Sequence, residues 1–409
     1  MRVVILPFYH GLGHVVRSTR IATELMARGA EVVVGVAADA RRWPEARGVP
    51  TATLTELPPL PPVPDDAGSP DVTSSPDGAA SPGHRPAPRL RLADEEYLRV
   101  ALEEERALVR AVGADVVLAD FRVTGPVSAR LEGVRSATVV NTGFFSFPFP
   151  DVVRDVTPAL HRLGVPRDVA GRLLGDVVYV PDRSAFEPLA DVRDPLSVAA
   201  LRTVDEIRHV GPVLASDPLT VPDRAQARTL LGLDPHAPVV LVSLGGTAQG
   251  FATLRTVAGL LDDVPAHTVL VTGPNVDPAL LADHRADRLL QLTDESMLWT
   301  RAADLVVTHG GHTSVMEALA LGRPLLALPG QDEQRWNAGR AVGLGTGEVL
   351  DPADVAPRFV PTVRRLLADD ALRRRAEAVG AVLAAHDGAR DLAEHVLTSA
   401  RLAALGPRA

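Results

Sequence analysis

Residues 304–328 alternate strand, glycine turn, helix and strand, and that order restricts the chain to an α/β architecture. Leu305 to Thr308 is a short valine-rich apolar run, with the length and composition of a buried parallel strand. His309, Gly310 and Gly311 end it, and Thr313 or Ser314 stands where a helix reaching Leu321 needs a cap. Gly322-Arg323-Pro324 supplies the stop before a second strand at Leu325 to Leu328. The first N–H groups of such a helix lack helical partners. With the helix dipole they favour an anion, and the glycines before them let phosphate oxygens approach the backbone.

A chain of 409 residues is too long for one core of ordinary size. The pattern predicts two Rossmann-like domains with parallel sheets facing a central cleft: residues 1–205, a linker over 206–222, and a second domain over 223–385. A closing helix, part of 386–409, is expected to pack back toward the first domain. Near the start, a strand (Val3 to Leu6), a glycine-bearing loop, a helix (Val15 to Arg28) and a strand (Glu31 to Val36) form a βαβ unit. Gly11, Gly13 and Asp39 suggest a dinucleotide fingerprint, but Val16 stands where its third glycine belongs. Asp120 lies at the C-terminal end of another buried strand, the side on which open parallel sheets bind ligands. Phe144, Phe145, Phe147 and Phe149 follow a strand at Ala137 to Val140 and concentrate four of the nine phenylalanines in one segment. Such a segment either lines an apolar pocket or fills the core, and the sequence leaves both open. Residues 57–90 carry ten prolines and read as a long mobile loop, either a lid or a tolerated insertion.

The net charge of -9 opposes nucleic-acid binding, and all 42 basic residues are arginine. Absence of cysteine excludes thiolate catalysis, disulfides and cysteine-ligated metals. No apolar run approaches the ~18 residues of a membrane span, and Met1-Arg2 leads straight into a strand too short for a signal segment, so cytoplasmic residence is expected.

His309, Gly311, Ser314 and Glu317, continued by Pro329, Glu333, Gln334 and Asn337, resemble the donor signature of the UDP-glycosyltransferase-like enzymes of the GT-B fold. The likeness is to the antibiotic and macrolide type, with some features of family 28. It implies that His309, Gly310, Gly311, Thr313 and Ser314, with Gly246 and Thr247 of an earlier glycine turn, hold a donor diphosphate. By the same resemblance Glu317 takes the ribose, and Glu333 with Gln334 the transferred sugar. Glu333 replaces the more usual aspartate, and Thr293-Asp294 stands where relatives commonly have Pro-Gln, which leaves uridine and thymidine both open. The stretch GLGHVVRS is similar to the family's first loop, implying His14 as the base with Asp120 as its partner, and Phe144, Phe145 and Phe147 as acceptor contacts. His10 is a neighbouring rival base. The implied activity is inverting, metal-independent transfer of a sugar from a nucleoside diphosphate sugar to a hydroxyl of a small-molecule acceptor. No cofactor is implied, and a monomer or homodimer is expected. A hydrolase or epimerase of the same fold, a dehydrogenase and a non-catalytic sugar-nucleotide-binding helper remain alternatives; Gly11 to Arg17, read as G-x-G-H-x-x-R, also resembles such hydrolases.

Overall fold

The computed structural model describes residues 1–8, 12–55, 92–186, 189–245, 250–274, 276–281 and 283–404, with side chains as far as 399. The proline-rich stretch 57–90, His10, Gly11, Gly246 and Thr247 therefore lie outside the described residues.

Among the described residues, thirteen strands form two sheets. The first contains β1 (Arg2–Pro7), β2 (Glu31–Val36), β3 (Thr51–Thr53), β4 (Val116–Asp120), β5 (Arg135–Val139), β6 (Val177–Val180) and β7 (Glu206–His209), in the order β3-β2-β1-β4-β5-β6-β7. The second contains β8 (Val239–Ser243), β9 (His267–Val271), β10 (Arg288–Leu290), β11 (Leu305–Thr308), β12 (Leu325–Ala327) and β13 (Gly347–Val349), in the order β10-β9-β8-β11-β12-β13. Every pairing between these strands is parallel. Central strands such as Val3 to Leu6 and Val239 to Val242 are apolar throughout because helices cover both faces of each sheet. Among the described residues, no helix is long and apolar enough to cross a membrane.

Two expectations change. The linker does not begin at residue 206, because β7 pairs with β6 and completes the first sheet. Its sequence, Glu-Ile-Arg-His, lacks an apolar run since it is an edge strand, half exposed and charged. The helix after β11 runs from His312 to Ala320, with Gly311 as its N-cap and no side-chain cap. Thr313 and Ser314 thus lie inside its first turn and do not cap it.

The final helix, Gly388–Ala404, buries Ala389, Leu392, Ala393, Val396 and Leu397 in the same cluster as Val3 and Ile5 of β1 and Ile21 and Leu25 of the first helix, Leu12–Ala27. The chain's last segment therefore packs into the core of the first lobe.

Candidate active site

Both sheets have a topological switch point at the centre. Strand order runs outward in opposite directions from the β1–β4 pair in the first sheet and from the β8–β11 pair in the second. Beyond the carboxyl ends of such strands a crevice opens, and ligands bind there. His14 lies in the helix following β1, and Asp120 ends β4; Gly245 follows β8, and His309 follows β11. The two switch points meet. A Cβ added to Gly13 would lie 2.8 Å from Thr313 Oγ1, so the first helix and the helix after β11 touch at their N-termini.

On the second lobe, the ring of His309 is wedged between two glycines. A Cβ on Gly245 would stand 2.8 Å from its Cε1, and one on Gly311 would stand 2.4 Å from its Nε2. Gly310 has φ 87° and faces the Gln334 carbonyl, where a Cβ would sit 2.6 Å away, so this turn requires glycine. Burial pushes the pKa of His309 down to about 4, opposed by a hydrogen bond from the ring to the Ser243 carbonyl. Its Nδ1 is buried without a hydrogen-bond partner among the described residues. The first turn beside it, from His312 to Ser314, offers N–H groups that no side chain caps.

Glu317, one turn beyond Ser314, accepts from Thr300 Oγ1 at 2.6 Å and Ser296 Oγ at 3.1 Å; burial raises its pKa while these two bonds oppose the shift. Glu333 accepts from Asn337 Nδ2 at 2.6 Å and, across the cleft, from Asn141 Nδ2 at 3.2 Å. Gln334 Oε1 accepts from the Gly330 N–H at 2.9 Å.

On the first lobe, His14 Nδ1 lies 2.8 Å from Asp120 Oδ1. Arg17, three residues on and so on the same helical face, grips both oxygens of that carboxylate: Nε donates to Oδ2 at 2.8 Å and Nη2 donates to Oδ1. Burial alone would raise the pKa of Asp120, but Arg17 and then His14 hold it down to about 2. From the other lobe, His312 faces this cluster; burial, then Arg17 and His14, push its pKa down to about 3 against the pull of Asp120. Phe121, next to Asp120, has φ 62°, a left-handed conformation uncommon for a bulky residue. Its ring lies 5.1 Å from that of His14, and Phe8 meets His14 edge-on at 5.8 Å.

The phenylalanine segment divides. Phe144 and Phe145 are 1% and 0% exposed and pack with Phe149 in the core of the first lobe, so as free acceptor contacts they are displaced by their own burial. Phe147, at 44% exposure, is the one that reaches solvent. Asn141, which meets Glu333, and Phe121, which meets His14, left no signal in the sequence. Arg17 left one, as the end of G-x-G-H-x-x-R and as a charge placed i+3 from a candidate base.

Comparison with known proteins identifies the family and the fold. The Glycosyltransferase family 28 C-terminal domain matches residues 240–396. The UDP-N-acetylglucosamine--N-acetylmuramyl-(pentapeptide) pyrophosphoryl-undecaprenol N-acetylglucosamine transferase of Mycobacterium avium is 30% identical over 314 residues, covering 74% of this chain and 70% of that protein. Two solved structures share the fold. The glycotransferase of kitacinnamycin is 22% identical, with TM-score 0.70 over 97% of this chain and 98% of its own. The Streptomyces sp. SF2575 glycosyltransferase SsfS6, complexed with thymidine diphosphate, is 18% identical, with TM-score 0.67 over 97% and 99%. The chain belongs to the glycosyltransferases of the GT-B fold, in the UDP-glycosyltransferase-like group with a family 28 C-terminal domain.

Proposed function

We propose that this glycosyltransferase moves a sugar, with inversion and without a metal or other cofactor, from a nucleoside diphosphate sugar to a hydroxyl of a small-molecule acceptor such as a secondary metabolite. The observation that carries the reading is the meeting of two unlike half-sites across one cleft. One is an uncapped helix N-terminus beside the buried ring of His309; the other is the His14–Asp120 pair.

With Nδ1–H donated to Asp120, His14 keeps the lone pair of Nε2 for the acceptor hydroxyl. The acceptor oxygen attacks the anomeric carbon as Nε2 takes its proton, and the bond from that carbon to the diphosphate oxygen breaks on the opposite face. Charge gathering on the leaving diphosphate meets the N–H groups of the first turn after Gly311, preorganised donors that cost no reorganisation. Glu317 takes the ribose hydroxyls, and Glu333 with Gln334 the hydroxyls of the transferred sugar. SsfS6 was crystallised with thymidine diphosphate, which supports a thymidine or uridine diphosphate donor here.

Mass spectrometry of products from a panel of sugar nucleotides and hydroxylated acceptors tests this. A glycosylated acceptor formed by the native chain, and lost by at least about a hundredfold in His14→Ala with nucleotide binding intact, is expected. Release of free sugar with no acceptor product would make the enzyme a hydrolase.

A further inference from the structure

Asp120 is committed on every side. Its Oδ1 takes His14 Nδ1 at 2.8 Å and Arg17 Nη2; its Oδ2 takes Arg17 Nε at 2.8 Å and Ser18 Oγ at 3.3 Å. A carboxylate offers about four lone-pair positions, and here all four are occupied. The ion pair is deep: the Arg17 and Asp120 side chains are 3% and 1% exposed. Arg17 Nη2 also lies 3.3 Å from His14 Nδ1, so a cation stands against the inner nitrogen of the base. In a plain histidine–carboxylate pair the carboxylate is an uncompensated charge that stabilises the imidazolium. In this chain a guanidinium that does not deprotonate has already met that charge.

We propose that Arg17 is a positioning residue for the base: it locks the Asp120 carboxylate and cancels its charge, so that Asp120 orients His14 without holding a proton on it. The proposal rests on the reading of His14 as base. A buried carboxylate stripped of its guanidinium must find another counter-charge, and the adjacent imidazole, 2.8 Å away, is able to supply one. A histidine kept protonated for that purpose cannot accept the proton of an acceptor hydroxyl. Among the described residues, the groups facing His14 are these. Arg17 and Ser18 share its helix, Asp120 comes from β4, and Phe8 and Phe121 present rings. His312 comes from the opposite lobe.

The test is histidine-detected NMR titration of the full-length chain, with the His14 signal assigned by its loss in His14→Gln, run beside the pH profile of kcat. Arg17→Gln removes the charge and keeps a hydrogen-bonding group. It should raise the midpoint of His14 protonation by at least about one unit, a tenfold change in proton affinity, and move the acid limb of kcat the same way. Arg17→Lys, which keeps the charge but not the fork, should move both by less than half as much. Arg17→Gln with Asp120→Asn removes both charges and should return the midpoint to the wild-type value or below. A folded Arg17→Gln protein with an unmoved midpoint overturns the proposal and leaves the base assignment standing. A moved midpoint with an unmoved acid limb removes His14 as the base, and the proposal with it. If Arg17→Gln does not fold, the double variant must, because no unpaired charge remains; its failure to fold also overturns the proposal.

Discussion

At the scale of single residues, His309 is set by what surrounds its two nitrogens. Nδ1 has no hydrogen-bond partner among the described residues, and burial holds the pKa down to about 4 against a hydrogen bond to the Ser243 backbone. Near neutral pH the ring is therefore uncharged in the free protein, and a diphosphate placed beside it would favour the protonated form. Binding of a nucleoside diphosphate sugar is expected to take up a proton. Calorimetry at pH 6 in buffers of different ionisation enthalpy measures that uptake, and none at all would show that the anion does not charge His309. His309→Ala should weaken nucleotide binding by about 1.5–3 kcal/mol, the worth of a hydrogen bond to a charged group. The same shift sets a stability trend. The unfolded chain protonates this histidine near its ordinary pKa of about 6.5 while the folded chain resists, so the unfolded state binds more protons between these values. The contribution is complete above about 6.5 and falls away toward about 4, and His309→Gln should flatten that part of the acid-denaturation curve.

At the scale of elements, the turn from β11 into the next helix was legible and its cap was not. The valine run, the two glycines and Gly322-Arg323-Pro324 give strand, turn and stop from local chemistry alone. Cap identity depends on where the backbone becomes helical, and Gly311, extended at φ -61° and ψ 142°, takes that position without a side chain. An alanine at 311 tests the turn directly, because its Cβ would fall 2.4 Å from His309 Nε2 and must displace the ring. The backbone angles suit alanine, so Gly311→Ala should still fold, at a cost of about 1–3 kcal/mol for the displaced ring, and lose nucleotide affinity by about tenfold or more, the equivalent of one misplaced donor. Unchanged affinity would mean that His309 does not need its present position to hold the ligand. Other elements hid for equally physical reasons. β7 is an edge strand without an apolar run. The Arg17–Asp120 pair joins residues 103 apart, a proximity set by the β1–β4 pairing and absent from local spacing.

At the scale of the whole molecule, the lobes are joined beside the cleft and again at its back. Beside it, Glu333 accepts from Asn141, and Trp336 leaves no room for a side chain on Gly143, where a Cβ would come within 2.7 Å of its Cδ1. At the back, the final helix begins with the Gly388 N–H on the Pro212 carbonyl at 2.9 Å, Asp387 takes Arg20 at 2.7 Å, and Tyr179 OH meets His395 Nδ1 at 2.7 Å. A Cβ on Gly388 would fall 2.2 Å from the Gly211 carbonyl oxygen, so this crossing tolerates no side chain without moving the helix. Gly388→Val is therefore expected to destabilise the protein by about 1–3 kcal/mol, the usual cost of overpacking, and to loosen how the lobes face each other. Because the proposed donor contacts all lie on the second lobe and the base lies on the first, nucleotide affinity should stay within about twofold while kcat/KM for transfer falls at least about tenfold, as misplaced reacting groups do. Glu394→Ala serves as the control. It removes the Arg28 pair, in which the glutamate is 58% exposed, and an exposed pair of this kind is worth about 0–1 kcal/mol. Equal losses of nucleotide affinity and kcat/KM in Gly388→Val would show that the helix supports the second lobe's own fold; a selective loss of kcat/KM would show that its work is to hold base and donor in register.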